Sequence, residues 1–503
     1  MQAPTLEEIR NIAEQYRFQL SQEEEEVFYR FIRNSLDSYK ALDLMEEPKL
    51  IPANRNRDSG RRPSSIENPY NAWAWRCSIE GSTGGKLAGK KLGIKDTVSL
   101  AGIPLSNGSK LLENYIPDVD ATIVKRILDS GGKILGKTVC EDLCFSGGSH
   151  TSYPLPVSNP HNKEYQAGGS SSGSAVVVSI GEVEMAIGGD QGGSIRIPSS
   201  WCGIFGLKPT WGLVPYTGVF PIELTLDHVG PMAANVQDLA ILLEVIAGRD
   251  GLDPRQAETP TTLPSYATEL QKGIRGFKIG IVKEGFGWPN LSDPEVDRLV
   301  LDAAHLYENE GASVEEISIP FHRDAVYVWA AIINEGSLSM MIRGRGMGHN
   351  WKGYYDSNLL GFYGDSQKSN ANSYPPTVKA VILLSHFLDT RFNGKYYSKA
   401  QNLRRPLTEA YNTALNEYDL LIMPTTPQKP TKLKQNSLQE YVDNALNNLN
   451  NTSPFNVSGL PAINIPCGFS GGLPIGMMAV GRRFEESVVL RAAYSFEKMN
   501  RRK

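Results

Sequence analysis

Gly-Gly-Ser-Ser-Ser-Gly-Ser occupies residues 168–174 and runs directly into the apolar residues Ala175-Val176-Val177-Val178. Two interpretations fit this composition: a flexible linker, or a tight loop that begins a buried helix. Such a loop uses glycine for positive φ angles and close backbone approach, and it presents hydroxyl groups at the start of the helix. We favour the loop, because a flexible linker would not lead straight into a buried helix.

A second glycine-rich turn follows a strand-like run and reads Gly188-Gly189-Asp190-Gln191-Gly192-Gly193-Ser194-Ile195-Arg196-Ile197-Pro198. Its paired glycines allow consecutive amide groups to converge beside Ser194, which is how an oxyanion hole is built. Asp190 and Arg196 could brace this turn from either side. The alternative interpretation is a glycine-rich bend with a serine on the surface.

A nucleophilic serine needs a base, and the usual partner is histidine. None of the seven histidines lies in a recognisable triad context, and no Gly-x-Ser-x-Gly elbow surrounds Ser194. His150 and His161 flank a proline-rich loop near the first glycine-rich stretch and are weak candidates. Lys95 ends an apolar strand, where a buried, neutral amine could accept a proton. A surface ion pair with the neighbouring Asp96 is the alternative, and the residues alone favour it.

The whole composition narrows the class of protein. The 503 residues include 51 Lys+Arg and 55 Asp+Glu, and 40% are hydrophobic, which is typical of a soluble globular chain. A net charge of −4 gives no reason to expect nucleic acid as a partner. We expect no apolar run that approaches the ~20 residues needed to span a membrane, and no secretory leader is recognisable. Five scattered cysteines suggest neither a disulfide framework nor a zinc site, so we expect a cytoplasmic protein that acts on a small molecule without metal or cofactor.

Residues 1–65 are predicted to form an N-terminal helical domain and a linker. Thr5 with Glu8, and Ser21 with Glu24, match the capping box that begins a helix, which predicts two or three helices. Their apolar stripes suggest a homodimer interface, and packing against the chain's own core is the alternative. An exposed connector is predicted from its prolines and arginines, namely Pro48, Pro52, Pro63, Pro69, Arg55, Arg57, Arg61 and Arg62.

From Leu92 onward, short apolar runs alternate with amphipathic helices, which predicts an α/β fold with a large mixed β-sheet covered by helices on both faces. The segment 321–405 breaks this rhythm with many aromatic residues, and we expect an inserted helical cap over a site. The predicted strands are 92–94, 133–135, 183–187, 278–282, 314–319, 420–424, 462–466 and 477–480. The predicted helices are 121–129, 172–180, 236–247, 294–309 and 485–499.

The two glycine-rich segments are accompanied by Gly206-Leu207-Lys208-Pro209-Thr210, by residues 227–232 and by Gly459-Leu460-Pro461-Ala462. Together these segments resemble the long signature of the amidase signature family, over about residues 66–503. The helical N-terminus and the run Glu141–Ser149 resemble more narrowly the bacterial amidases found beside nitrile hydratases. The resemblance implies the amidase-signature fold, with 66–503 as the catalytic domain.

The resemblance also implies a Ser-Ser-Lys triad. By motif position, Ser194 matches the nucleophile, Ser170 the bridging serine and Lys95 the base. The bridging serine of the family follows a cis peptide bond, here Gly169–Ser170. The chain departs from common versions of the motif at Ser172 and Gln191, and neither change affects the implied mechanism.

Further roles follow from the same resemblance. Backbone amides of Gln191, Gly192 and Gly193, together with that of Ser194, are expected to form the oxyanion hole. Ser171 is expected to support Lys95, with Asp190 and Arg196 bracing the turn. Gly147 and Gly148 are expected to bind the acyl side of the substrate.

The implied activity is hydrolysis of aryl or branched aliphatic amides to a carboxylate and ammonia. Within the family, the chain could instead be an A-type component of a tRNA-dependent amidotransferase, or an enzyme specialised for anilides or hydrazides. From another class, Gly285 and Gly287 after an apolar strand hint at a nucleotide-binding turn. Asn290 replaces its third glycine and Pro289 interrupts it, so this signal is weak.

Overall fold

The computed structural model describes residues 2–48, 50 and 57–501. The chain divides into two compact units, Met1–Leu50 and Ile51–Lys503. The first contains two helices, α1 (Leu6–Gln15) and α2 (Gln22–Asp43). Each begins with the predicted capping box, in which the threonine or serine hydroxyl accepts a hydrogen bond from the amide three residues later.

The second unit is built on a mixed sheet of eleven strands in its described residues, in the order β1-β3-β2-β4-β6-β5-β10-β11-β9-β7-β8. The predicted α/β fold is therefore confirmed. The strands are β1 (Trp73–Ile79), β2 (Lys91–Lys95), β3 (Lys133–Thr138), β4 (Met185–Asp190), β5 (Phe205–Lys208), β6 (His228–Ala233), β7 (Lys278–Val282), β8 (Ser313–Ile317), β9 (Leu420–Pro424), β10 (Ala462–Ser470) and β11 (Leu473–Val480).

Helices of the second unit surround this sheet. They are α3 (Thr122–Asp129), α4 (Ser172–Ser179), α5 (Arg196–Cys202), α6 (Val236–Ile246), α7 (Tyr266–Glu269), α8 (Pro294–His305), α9 (Ala325–Ser337), α10 (Ser357–Asn370), α11 (Pro376–Phe392), α12 (Lys395–Glu417), α13 (Leu438–Leu446), α14 (Pro454–Ser458) and α15 (Glu486–Arg501). All five predicted helices are present, with ends that differ by a few residues.

Three strands were not predicted: β1, β5 and β6. Strand β6 contains Gly230 and Pro231, residues that ordinarily weaken or interrupt a strand. It is nevertheless fully buried and pairs with β4 on one side and β5 on the other. Long-range pairing therefore overrides the local preference of these residues.

The predicted exposed connector needs correction at Arg57. Its guanidinium group donates two hydrogen bonds to the carboxylate of Asp120, at 2.7 and 2.6 Å, and its side chain is only 9% exposed. The main chain of Arg61 pairs with that of Arg76. This part of the chain is thus bonded to the rest of the second unit, because a buried carboxylate needs a cation. Pro52 and Arg55 lie outside the described residues.

The segment 321–405 is helical, as predicted, and comprises α9, a π-helical turn (Leu338–Arg343), α10, α11 and the first part of α12. The expectation that no apolar run is long enough to cross a membrane was wrong. Pro320–Arg343 passes that test by length and composition, but 56% of its 18-residue apolar window is buried inside the fold, as in the core helix of a globular protein.

The sheet places two loops at one edge. Strands β2 and β4 are parallel neighbours, with Ile94 opposite Ile187, so their carboxyl ends lie side by side. Lys95 ends β2, and Asp190 ends β4 directly before the second glycine-rich turn. The first glycine-rich stretch leads into α4, whose Val176 and Val177 are fully buried. It is therefore a loop that begins a buried helix, and the flexible-linker alternative was wrong.

Candidate active site

Lys95 is completely buried at the end of β2. Its Nζ atom donates to the hydroxyl of Ser170 at 2.8 Å and to the carbonyl oxygen of Gly189 at 3.1 Å. The neighbouring Asp96 pairs instead with Lys137, at 3.0 Å. The surface ion pair between Lys95 and Asp96, which the residues alone favoured, is therefore not formed.

The serines of the first loop connect Lys95 to the second glycine-rich turn. The peptide bond Gly169–Ser170 is cis, as the resemblance implies. The hydroxyl of Ser171 donates to the carbonyl oxygen of Gly189 at 3.1 Å, and the main-chain N–H of Ser171 donates to the carbonyl oxygen of Ser194 at 3.2 Å. These bonds hold Ser170 and Ser194 in adjoining loops, with the amine of Lys95 on one side.

The turn that contains Ser194 presents unused amide groups. The main-chain N–H groups of residues 191–194 donate no hydrogen bond within the described part of the chain. Gly193 has a φ angle of +146°, which disfavours other residues, and a Cβ atom there would lie 2.3 Å from Oγ1 of Thr452. A Cβ atom on Gly192 would lie 2.7 Å from the ring of Trp329. Converging, unbonded amides beside a serine hydroxyl can stabilise an oxyanion.

Asp190 and Arg196 brace this turn through a fully buried ion pair. The guanidinium group donates to both carboxylate oxygens, at 3.0 and 2.9 Å, and it also bonds the carbonyl oxygen of Thr452 and the side chain of Asn456. Burial alone would raise the pKa of Asp190, but the charge and hydrogen bonds of Arg196 hold that pKa well below its usual range. The carboxylate therefore remains charged, and it fixes both ends of the turn.

A buried glutamate, Glu141, lies behind the first loop. Its carboxylate accepts hydrogen bonds from the main chain and hydroxyl of Thr151, at 2.8 and 2.7 Å, and from the hydroxyl of Ser172 at 3.0 Å. Burial raises its pKa to about 7, although these hydrogen bonds act in the opposite direction. Ser172, one of the two departures from the common motif, thus contacts a carboxyl group that titrates near neutral pH.

Ser194 lines a small pocket with mostly apolar walls. The pocket has a volume of about 30 Å³, enough for one or two water molecules. Gly147 lines it, whereas Gly148 packs closely against Gly169 and the side chain of Gln166. The other lining residues are Cys144, Phe145, Ser146, Gln191, Gly192, Ile222, Trp329, Ile333, Leu446 and Leu449.

A family model described as Amidase matches residues 70–490, a range that includes Lys95, Ser170, Ser194 and the residues that contact them. The chain belongs to the amidase family. It is an enzyme that hydrolyses amides, and its large mixed sheet with surrounding helices is the amidase-signature fold.

Named relatives within the amidase family differ in what they act on. An enantioselective amidase of Rhodococcus rhodochrous is 44% identical over 439 residues, which cover 86% of this chain and 84% of the relative. The A-type component of the glutamyl-tRNA(Gln) amidotransferase of Methanosarcina mazei is 39% identical over 415 residues, which cover 82% and 85%. The crystal structure of the same component from Thermotoga maritima superimposes with a TM-score of 0.71 at 30% identity, and covers 86% of this chain and 88% of that one.

The sequence analysis did not identify three residues that contact the glycine-rich turn of Ser194. The indole N–H of Trp329 donates to the carbonyl oxygen of Gln191 at 2.8 Å. The hydroxyl of Thr452 donates to the carbonyl oxygen of Gly192, and the side chain of Asn456 donates to Asp190. For Thr452 the available signal was the polar run 447–453, which reads as an exposed loop but contains several completely buried residues.

The weaker candidates have structural explanations. The ring of His150 is buried between Gln166 and the carbonyl oxygen of Tyr441, and burial lowers its pKa. Gly285, from the suggested nucleotide-binding turn, packs against Met423, which a Cβ atom would approach to 2.6 Å. Nε2 of His161, the other weak candidate, donates to the carbonyl oxygen of Cys202 at 3.1 Å.

Cys140 and Cys144 are buried thiols that both donate to the side-chain oxygen of Asn107, at 3.5 and 3.4 Å. Groups of three or more His, Cys, Asp or Glu residues that could hold a metal ion are not found in the described part of the chain.

Proposed function

We propose that the chain hydrolyses carboxylic acid amides to a carboxylate and ammonia through an acyl-enzyme on Ser194. The observation that carries the proposal is the 2.8 Å bond between Lys95 and Ser170 in a fully buried site, with the turn of Ser194 bonded to the adjacent serine. A buried amine linked to a serine hydroxyl can relay a proton from a second serine, as a general base must.

In the proposed reaction, neutral Lys95 accepts a proton through Ser170 as the oxygen of Ser194 attacks the amide carbonyl. The amide groups of Gln191, Gly192, Gly193 and Ser194 stabilise the negative oxygen. The C–N bond then breaks, the relayed proton passes to the nitrogen, and ammonia leaves. Water attacks the resulting ester by the same relay, which releases the carboxylate and restores the hydroxyl of Ser194.

We propose that the acyl group of the substrate is aryl or branched aliphatic. The pocket walls are formed by apolar side chains, and apolar pockets with few polar anchors suit uncharged groups. The 44% identity to an enantioselective amidase favours the same class of reaction. A volume of about 30 Å³ does not hold an aryl ring, so side chains that line the pocket must move when such a substrate enters.

The resemblance to amidotransferase components supplies the competing hypothesis, in which glutamine is the ammonia donor and partner proteins are required. A panel of aryl amides, branched amides, anilides, hydrazides and glutamine, assayed with the isolated chain, separates the two. We expect aryl or branched amides to have the highest kcat/KM. Glutamine as the best substrate, or activity only after partner proteins copurify from the host, would favour the amidotransferase.

We further propose a cytoplasmic homodimer that forms through the N-terminal unit. Apolar residues of α1, α2 and their connection, among them Ile12, Phe18, Phe28 and Phe31, enclose an apolar groove of about 550 Å³ in this unit. Phe31 is 69% exposed, and contiguous apolar surface of this kind is typical of protein interfaces. All five cysteines are free, as in a reducing compartment.

Multi-angle light scattering tests the dimer on the full chain. Phe31→Glu should convert a dimer to a monomer, because it places a charge in the groove. Leu438→Glu is the matched control, since Leu438 is similarly exposed at 66% but belongs to the second unit. A dimer that survives Phe31→Glu would refute this interface.

A further inference from the structure

Two neighbouring cysteines, Cys140 and Cys144, lie at the catalytic pocket and are not used by the proposed amide hydrolysis. Cys144 lines the pocket together with Ser194 and is 7% exposed, whereas Cys140 is completely buried. Both thiols donate to the same atom, Oδ1 of Asn107, at 3.5 and 3.4 Å, and they also interact directly with each other. A reagent that enters the pocket therefore meets Cys144 first, with a second thiol beside it.

The surroundings of Cys144 favour its thiolate, which is the form that oxidants attack. Burial alone would raise the pKa of Cys144, but the thiol of Cys140, the charge of Lys95 and the hydroxyl of Ser170 lower that pKa below its ordinary value. Burial instead raises the pKa of the other four cysteines. Of the five thiols, all of which lie in the described part of the chain, Cys144 is thus the most reactive by its surroundings.

The segment that carries both cysteines is bonded to the loop of Ser170. The main-chain N–H of Glu141 donates to the carbonyl oxygen of Ser170 at 3.2 Å, and that of Gly169 donates to the carbonyl oxygen of Gly147 at 2.8 Å. The N–H of Cys144 donates to the carbonyl oxygen of Glu141 at 2.7 Å, which closes a tight turn between the two cysteines. A bond between the sulfur atoms, about 2 Å long, would change this turn and with it the position of Ser170.

We propose that hydrogen peroxide oxidises Cys144 from the catalytic pocket, and that Cys140 then closes a disulfide bond with it. Hydrogen peroxide is little larger than water, so it fits a pocket of about 30 Å³. Transfer of the Cys144 proton to Lys95 gives the reactive thiolate, and the reverse transfer restores the neutral amine that amide hydrolysis needs.

The reaction proceeds in two steps. The thiolate of Cys144 attacks one oxygen of the peroxide and the O–O bond breaks, which leaves a sulfenic acid and a hydroxide ion that takes the proton from Lys95. The thiol of Cys140 then attacks the sulfenic sulfur, and the S–S bond forms as the S–OH bond breaks and water leaves with the Cys140 proton. Two thiols are thereby oxidised by two electrons, and the peroxide is reduced to two molecules of water.

Peptide mass spectrometry on the full chain tests the site. Reduced protein is freed of reductant, treated with hydrogen peroxide, denatured, alkylated with iodoacetamide and digested with trypsin. Both cysteines fall in one tryptic peptide, residues 138–163, because Lys137 and Lys163 are consecutive cleavage sites. We expect this peptide to lose two hydrogen atoms and to escape alkylation. Cys467 is the internal control, because it is partly exposed but has a raised pKa, and we expect it to be alkylated.

Variants separate the two steps and connect them to activity. Cys140→Ala should stop at the sulfenic acid, which dimedone labels at Cys144, and Cys144→Ser should give neither product. Peroxide should lower the kcat of the wild type for an aryl amide at least tenfold, and dithiothreitol should restore it. Cys467→Ser should respond as the wild type does, whereas Cys144→Ser should not respond.

The effect on activity rests on the proposed function, because it acts through Ser170 and Lys95, whereas the peptide masses need no substrate and no variant. A peptide 138–163 that keeps both thiols while Cys467 is oxidised would overturn the proposal, since exposure alone would then govern reactivity. Inactivation that persists in Cys144→Ser, or a disulfide that leaves kcat unchanged, would overturn the connection to Ser170. A chain inactive on every amide would refute the proposed function and leave the mass test intact.

Discussion

The buried ion pair between Asp190 and Arg196 predicts a large loss of stability for Asp190→Asn. The carboxylate accepts from Nε and Nη2 of Arg196, from the amide of Ile195 and from the side chain of Asn456, all within 3.1 Å. Asparagine keeps the shape but loses the charge, so the guanidinium group becomes a buried cation without its counterion.

Removal of one partner from a buried pair costs about 3–5 kcal/mol. This loss is a large fraction of a typical unfolding free energy of about 5–15 kcal/mol. Asp129→Asn is the matched control, because Asp129 pairs with Lys125 on the surface, where both side chains are more than half exposed. Exposed pairs of this kind contribute at most about 1 kcal/mol.

Urea denaturation measures the free energy of unfolding of both variants. Circular dichroism and tryptophan fluorescence both monitor the transition, and coincident curves establish two-state behaviour. Arg196→Met and the double variant complete a cycle in which the double variant should cost less than the sum of the single ones, because no unpaired charge remains. A loss below about 1 kcal/mol for Asp190→Asn would refute the reasoning that this charge pair holds the turn.

Three further predictions concern the site. Lys95→Ala and Lys95→Arg should both lose most of the activity in steady-state assays, because arginine cannot be deprotonated; an active arginine variant would reduce Lys95 to a structural cation. Trp329→Phe should lower kcat/KM about fivefold, since a neutral hydrogen bond to Gln191 contributes about 1 kcal/mol; an unchanged kcat/KM would show that the turn does not need this bond. The raised pKa of Glu141 means that its contribution to stability is fully present below about pH 4.5 and is lost as the pH rises through about 7. The free energy of unfolding of the wild type in urea should therefore exceed that of Glu141→Gln by a margin that shrinks between pH 5 and pH 8. A margin that stays constant would contradict the raised pKa of Glu141.

The sequence predicts those parts of the site that depend on short-range pattern. Ser170 and Ser194 lie in glycine-rich loops whose composition is unusual enough to identify. Lys95 was assigned by the family resemblance instead, because the residues alone favoured a surface ion pair with Asp96. The contacts of Trp329 and Thr452 with the turn were not predictable, because they join residues 138 and 260 positions apart. Such contacts depend on how helix α9 and the polar run 447–453 pack, which local periodicity does not encode.

Strand prediction shows the same difference between short-range pattern, which the sequence reveals, and long-range pairing, which it does not. Strand β7 has a continuous apolar pattern and was predicted with its observed limits, Lys278–Val282. Strand β6 was missed because Gly230 and Pro231 lower its local strand preference, and only its pairing with β4 and β5 makes it a strand. Tertiary pairing also explains why Arg57, read as a solvated connector residue, is buried against Asp120.

Mass spectrometry of the acyl-enzyme tests the central claim most directly. The enzyme is mixed with a slowly hydrolysed aryl amide, quenched in acid and digested, and the peptide containing Ser194 is weighed. We predict that this peptide gains the mass of the acyl group, that Ser194→Ala abolishes the gain, and that added hydroxylamine converts the acyl group to its hydroxamate. An acyl group found on another residue, such as Cys144 of the pocket, or turnover that persists in Ser194→Ala at a tenth of the wild-type rate, would contradict the account.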